Sequence, residues 1–139
     1  MKHILLAAAA IALSSCSATK TIGPDLNGEW DIVEVNGAVI DTTKTEFRPT
    51  LGFEIAKDNV YGCAGCNGIY GIARVNTAKQ TINFKEIGTT LMLCAKMEYE
   101  QQILKALEGV KAYKGAKDGM VDLTNASGKT LMTLKKQAK

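Results

Sequence analysis

Apolar and polar residues alternate in short runs along most of the chain, which is the pattern of half-buried β-strands. The clearest run is 81–87, where Ile82 and Phe84 share one face and Ile87 falls one step out of phase. Asn36-Gly37 is a predicted hairpin turn, because both residues tolerate positive φ. The succession of short strands predicts an antiparallel sheet or barrel. Comparable runs occur at 26–35, 51–55, 69–76, 120–124 and 130–134.

One segment has a different repeat. From Ala95 to Glu108, apolar residues recur at helical spacing, and charged or amide side chains take the other faces. Gly109 follows at a position where glycine often caps a helix. The pattern therefore predicts an α+β domain in which one amphipathic helix covers or plugs the sheet.

The first fifteen residues are predicted to be a secretory signal. A short basic start precedes the apolar run 4–13, which is shorter than the roughly 20 residues that span a bilayer as a helix. The run ends in Leu13-Ser14-Ser15-Cys16, which resembles a bacterial lipobox. That motif implies cleavage before Cys16 and a lipid on its sulfur. We then expect residues 1–15 to be a signal peptide, 16–24 a polar tether and 25–139 the domain.

The composition argues against several classes of function. The 17 basic and 14 acidic residues give a net charge of +3, and no basic cluster with interleaved aromatic residues occurs, so we expect no nucleic-acid partner. The single histidine, His3, lies in the predicted signal. The predicted mature chain therefore has no histidine base for a catalytic triad and a poor set of zinc ligands. We expect no enzymatic activity, no cofactor and no metal site.

The segment 60–71 concentrates four glycines, two cysteines and one asparagine in twelve residues. Glycine is used where the backbone needs positive φ or where another segment comes close. We predict a tight, irregular turn between two strands, with Gly62, Gly65, Asn67 and Gly71 as its structural residues. The side chain of Asn67 is expected to bond backbone groups of that turn.

These segments together resemble the META domain family, which includes the HslJ heat-shock lipoproteins. The resemblance implies a strongly curved antiparallel sheet, like a cracked barrel, with a helix across it. It also implies an envelope or stress role without a known reaction. Ala73 departs from the family, which usually has an aromatic residue there. The matching pieces span nearly all of the predicted mature chain and are 26–30, 35–37, 49–53, Gly62, 64–67, Gly71, 90–94, Glu100 and Leu107.

Three cysteines remain if Cys16 carries lipid, so one disulfide can form within a monomer. The resemblance implies the pair Cys66–Cys94, which would tie the glycine turn to the start of the helix and leave Cys63 as an apolar filler. The spacing Cys63-Ala64-Gly65-Cys66 leaves a redox site open as an alternative, although such sites work best at a helix N-terminus.

Three further side chains are assigned structural roles. Glu98 and Glu100 lie two residues apart and should point to different faces of the helix, so both are predicted to be solvated. Trp30 is predicted to lie in the core.

The leading hypothesis is a lipid-anchored bacterial envelope protein that binds a partner and is not an enzyme. Its partners would be the membrane, through the N-terminal lipid, and an unidentified envelope protein or small ligand. Ser17 carries no acidic retention mark, so we expect the outer membrane. No acidic cluster lies just beyond it, so we expect the domain to face the periplasm. Two alternatives stay open: a thiol-disulfide protein that uses Cys63 and Cys66, and a carrier of a small apolar ligand near Trp30 and Phe53.

Overall fold

The computed structural model describes residues 22–139. These residues form nine strands and one α-helix, together with three short 3-10 turns. The elements are β1 (Gly28–Val35), β2 (Ala38–Val39), β3 (Thr50–Glu54), β4 (Asn59–Cys63), β5 (Gly68–Asn76), β6 (Thr81–Thr89), α1 (Glu100–Gly109), β7 (Ala112–Gly115), β8 (Val121–Thr124) and β9 (Thr130–Lys136).

The strands form one antiparallel sheet that closes on itself. Neighbours run in the order β2-β1-β3-β4-β5-β6-β7-β8-β9, and β1 also pairs with β9. That last pairing extends from Trp30↔Lys136 to Val35↔Met132. The ring therefore contains eight strands, and β2 is a short extension of the hairpin at Asn36-Gly37. The predicted strands and single helix are confirmed, but the prediction of a cracked barrel is wrong, because the first and last long strands pair.

The weakest joint of the ring lies between β6 and β7. Only Thr81 and Ala112 are paired there. Two further backbone bonds support the joint, from Ile82 N to Lys111 O at 3.0 Å and from Tyr113 N to Gln80 O at 3.0 Å. Beyond Ile82, β6 has β5 as its partner on one side only.

A β-bulge explains why Ile87 is out of phase in the sequence. Tyr70 pairs with Gly88 and Ile72 pairs with Lys85, so Gly71 alone faces two residues of β6. Glu86, the first residue of the bulge, has φ of 51°. Such an extra residue shifts the alternation by one and bends the strand, which helps to curve the sheet.

The barrel interior is filled by the alternating apolar side chains of the strands. Leu51, Val60 and Leu134 have no exposed surface, and Phe53 has 1%. Trp30 is 3% exposed, which confirms its predicted place in the core. Its indole nitrogen donates to Leu26 O at 2.8 Å, so the one polar atom of the ring is satisfied.

The helix begins later than the sequence pattern predicts. It starts at Glu100 instead of Ala95, and Gly109 is its last helical residue instead of a left-handed cap, since the following Val110 is extended. Met97 forms an isolated β-bridge with Thr45, and this contact holds the preceding residues out of the helix. The buried face consists of Ile103, Ala106 and Leu107, as the helical spacing predicts. Within residues 22–139, no helix is both long and apolar enough to cross a membrane.

Candidate functional site

The predicted glycine turn connects β4 to β5 and closes at Ala64, whose N–H donates to Asn67 O at 2.9 Å. Gly65 has φ of 107°, a value that favours glycine. Its carbonyl oxygen accepts from Glu46 N at 3.0 Å and from Phe47 N at 2.8 Å. The turn therefore also holds the loop that leads into β3.

The two other predicted glycines are needed for close packing. A Cβ on Gly62 would overlap the carbonyl oxygen of Thr50 on the neighbouring strand. A Cβ on Gly71 would lie 3.0 Å from Glu86 O and 2.7 Å from Ile87 Cδ1, which are the two residues of the bulge. Both positions therefore exclude a side chain because another strand comes too close.

Asn67 bonds a distant loop and not its own turn, which differs from the sequence-based expectation. Its side-chain oxygen accepts from Met92 N at 2.6 Å and from Thr90 Oγ1 at 3.0 Å. Its side-chain nitrogen donates to Met92 O at 3.2 Å and to Glu100 Oε1 at 2.7 Å. The side chain is buried, with 4% of the residue exposed. One amide thus fixes the backbone of Met92 through both its N–H and its C=O.

Glu100 is the partner that completes this arrangement. Its second carboxylate oxygen accepts from Asn67 N at 2.8 Å, and the residue is 7% exposed. The prediction that Glu100 is solvated is wrong, whereas Glu98 does lie on the surface beside Lys44. The error follows from the misplaced helix start. Glu100 is the first helical residue, where the N-terminal end of the helix dipole stabilises a carboxylate.

The Cys66–Cys94 disulfide is present, with the two Cα atoms 6.0 Å apart. It joins the glycine turn to the loop before the helix, and Cys94 lies six positions ahead of Glu100 instead of at the helix start. The disulfide, Asn67 and Glu100 form one bonded cluster, which we call the brace.

Cys63 is free and only partly buried. Its sulfur accepts a hydrogen bond from Gly65 N at 3.3 Å, and burial raises the pKa of the thiol above its ordinary value. A redox-active CxxC site needs a lowered thiol pKa and a partner sulfur. Since Cys66 is bonded to Cys94, the alternative of a Cys63–Cys66 disulfide is wrong for this structure.

The loop that the brace fixes exposes apolar side chains to solvent. Leu91 is 97% exposed, Leu93 is 96% exposed and Met92 is 47% exposed. Residues 90–93, which we call the apolar loop, are therefore fixed in the backbone but open at the side chains. Sequence reasoning missed this feature, because a run of consecutive apolar residues such as Leu91-Met92-Leu93 usually indicates burial.

Other kinds of site find less support among the described residues. Residues 22–139 contain no cluster of three or more His, Cys, Asp or Glu side chains that could hold a metal ion. Four cavities of about 310 to 520 Å³ open on the surface, and neither Trp30 nor Phe53 lines any of the four. Those two residues belong to the packed core, which argues against an apolar carrier cavity beside them.

The geometry defines a class of small, closed antiparallel β-barrels with a single helix, in which a disulfide and an Asn–Glu pair fix an exposed loop. The family model that matches is the META domain, over residues 23–138. The chain belongs to the META domain family. Among curated proteins, none matches it.

Two solved structures are similar in fold. One is an NMR structure of a protein from Burkholderia xenovorans, with a TM-score of 0.62, 19% identity, and coverage of 100% of this chain and 99% of that chain. The other is a crystal structure of a DUF4847 family protein from Bacteroides vulgatus, with a TM-score of 0.53, 18% identity, and coverage of 81% of this chain and 96% of that one. At these identities the likeness concerns the fold alone.

The predicted signal peptide, the lipidated Cys16 and most of the tether fall on residues 1–21, outside the described residues. They stay predictions from the sequence.

Proposed function

We propose that this chain is a lipid-anchored protein of the bacterial cell envelope that acts by binding another protein through the apolar loop, and not by catalysis. The observation that carries this proposal is the near-complete exposure of Leu91 and Leu93 on a backbone that the brace holds in place.

A fixed backbone lowers the cost of binding, since fewer residues must be ordered when the partner arrives. Met92 is bonded at both its N–H and its C=O, and Cys94 is held by the disulfide. The half-exposed Phe47 belongs to the same region, because its backbone N–H donates to Gly65 O in the glycine turn. Exposed apolar side chains grouped in this way are typical of an interaction surface.

The position of the loop favours a protein partner over the lipid surface. Gly23 packs against the side chain of Gln80, at the turn that ends the β5–β6 hairpin, whereas the apolar loop follows the other end of β6. The eight steps from Thr81 to Thr89 span about 26 Å, and the bulge in β6 makes the real distance shorter. The seven steps from Cys16 to Gly23 extend to at most about 25 Å, so the loop reaches the membrane that holds the lipid only when the tether is fully extended.

The proposed anchor is based on the Leu13-Ser14-Ser15-Cys16 motif, and the outer-membrane location on Ser17. The periplasmic orientation is based on the absence of an acidic cluster just beyond Ser17. The envelope or stress role rests on family resemblance. If the anchor is real, Cys16→Ala should move the protein from membranes into the soluble fraction without unfolding it. A membrane fraction equal to that of the wild type would refute the anchor.

Site-specific photo-crosslinking in the producing cells tests the binding role. A benzoyl-phenylalanine in place of Leu91 should give a discrete protein adduct, and the same group in place of Val39, which is 70% exposed, should not. Leu93→Ser should weaken the adduct formed from position 91. A product that partitions with phospholipid on solvent extraction, or equal adducts from both positions, would contradict a protein partner at the apolar loop.

A further inference from the structure

A second surface begins where β6 leaves β7. In the joint, Ile82 N donates to the carbonyl oxygen of Lys111, the residue before β7. Ile82 and Phe84 therefore direct their backbone N–H and C=O groups away from β5. Ala73, the β5 partner of Phe84, donates its own N–H to Asp58 O on the opposite side. The backbone N–H and C=O of Phe84 therefore point to the side of β6 opposite β5, where β7 no longer pairs with it.

The same holds at the far end of the strand. Thr90 N donates to Gly68 O, so the backbone N–H and C=O of Thr89, one residue earlier, point away from β5. In residues 22–139 no strand pairs with β6 on this side beyond Thr81. A β-edge with unpaired donors and acceptors is a ready template for another strand.

A groove lies along this edge. Its volume is about 420 Å³, and it is lined by Phe84 and Ile87 from β6 and by Leu104 and Leu107 from α1. Leu107 is buried, whereas the other three are half-buried, so the floor is apolar and reachable from solvent. Apolar pockets beside a free strand edge are the combination that strand-addition sites use, with backbone bonds for affinity and pockets for alternate side chains.

We propose that this edge and groove bind an extended segment of a partner protein as an added strand of the barrel sheet. The backbone groups of Phe84 and Thr89 select a peptide over an acyl chain, because hydrocarbon cannot satisfy an N–H or C=O group. The proposal rests on the β6 edge alone and does not depend on the apolar loop.

Charge narrows the partner further. Glu86 on β6 and Glu108 on α1 line the groove together with Lys85, all three are exposed, and none forms an ion pair within residues 22–139. Two carboxylates and one ammonium group leave one net negative charge on the groove. An incoming strand whose outward side chains are basic complements these carboxylates. The occupant is therefore an extended segment in which apolar and basic residues alternate.

The test uses the full chain carrying Cys16→Ala and three blocked hexapeptides. The first is Lys-Val-Lys-Val-Lys-Val, the second has the same sequence with N-methylated valines, and the third is Glu-Val-Glu-Val-Glu-Val. Binding is followed through the amide resonances of Phe84 and Thr89. The basic peptide should shift both resonances, and N-methylation, which removes backbone donors from one edge, should weaken binding by about tenfold or more.

Glu108→Lys should weaken binding of the basic peptide by about threefold and strengthen that of the acidic one. Its matched control is Glu98→Lys, which makes the same charge change on an exposed residue that does not line the groove. Unshifted Phe84 and Thr89 resonances, equal binding of the N-methylated peptide, or equal effects of the two charge reversals would overturn the proposal. Dodecanoate that competes fully with the peptide would instead assign the groove to an acyl ligand and would overturn it too.

Discussion

The brace and the joint between β6 and β7 both lie where regular strand pairing stops. Within residues 22–139, the backbone groups left unpaired are hydrogen-bonded at the brace and remain free at the joint. At the brace, the side chains of Asn67 and Glu100 accept from the backbone N–H groups of Met92 and Asn67, and the Cys66–Cys94 disulfide fixes the same loop. At the joint between β6 and β7, one residue pair and two flanking bonds hold the ring, and the rest of the β6 edge has no strand beside it.

This contrast shows how one small barrel can offer two kinds of binding surface. The brace fixes a backbone so that only the side chains of the apolar loop remain for a partner. At the joint between β6 and β7, which we call the open joint, backbone groups of β6 are free to pair with a partner, and a groove lies beside them. The first is suited to side-chain recognition and the second to strand addition.

Loss of the disulfide should have the largest effect on stability. The bond closes a loop over a separation of 28 residues. Its removal in Cys66→Ala/Cys94→Ala should lower the free energy of unfolding by about 3–4 kcal/mol in the chain-entropy view. Urea unfolding measures the loss, and Cys63→Ala is the control, expected to cost about 1 kcal/mol or less. A double variant as stable as the wild type would show that Asn67 and Glu100 hold the loop without the disulfide.

Truncation of Glu100 should come next. Glu100→Ala removes the acceptor of the buried N–H of Asn67 and one of the two acceptors of its side-chain NH₂, which should cost about 3 kcal/mol. Glu98→Ala, two residues earlier and exposed, should stay within about 0.5 kcal/mol of wild type. Chemical denaturation of the pair measures the difference. Equal losses in the two variants would mean that Glu100 has no special role in the brace.

Gly62→Ala tests the close approach of β3 to β4 just before the glycine turn. The added Cβ meets the carbonyl oxygen of Thr50, a backbone atom that cannot move aside, so we expect a loss of about 2–3 kcal/mol. Gly115→Ala is the matched control, because a Cβ there meets nothing within 4 Å. A thermal melt of Gly62→Ala that coincides with the control would contradict the close approach of β3 and β4.

The smallest change is expected at the open joint. The hydroxyl of Tyr113 is buried and has no hydrogen-bond partner among residues 22–139, unlike the fully bonded amide of Asn67. Tyr113→Phe should therefore be neutral or more stable by up to about 1 kcal/mol. A loss larger than that would reveal a partner for the hydroxyl.

The same variant has a pH signature. Burial raises the pKa of Tyr113 above its ordinary value of 10.0, so the folded protein retains this proton longer than the unfolded chain. Stability from this group is complete below pH 10 and declines as the pH rises through the higher folded-state pKa. Tyr113→Phe should lose less stability than wild type above pH 10 in alkaline unfolding. Parallel losses in the two proteins would assign the alkaline transition to other groups.

Local patterns in the sequence are enough to predict most strands. The out-of-phase position of Ile87 is visible in the sequence, but no bulge was predicted from it; the structure shows that Gly71 faces two residues of β6 there. Closure of the barrel could not be predicted, since β1 and β9 meet from opposite ends of the chain. Glu100 was misassigned because a contact between Met97 and Thr45 delays the helix, and no local pattern encodes that contact. The exposure of Leu91 and Leu93 likewise depends on distant partners of Met92.

Amide hydrogen exchange of the full chain tests the contrast between the brace and the open joint most directly. The N–H groups of Asn67 and Met92 are bonded to buried Glu100 and Asn67, so they should exchange at least about 100-fold more slowly than those of Phe84 and Thr89. If Phe84 and Thr89 are protected as strongly as Met92, the β6 edge is not open and the two regions do not differ as described.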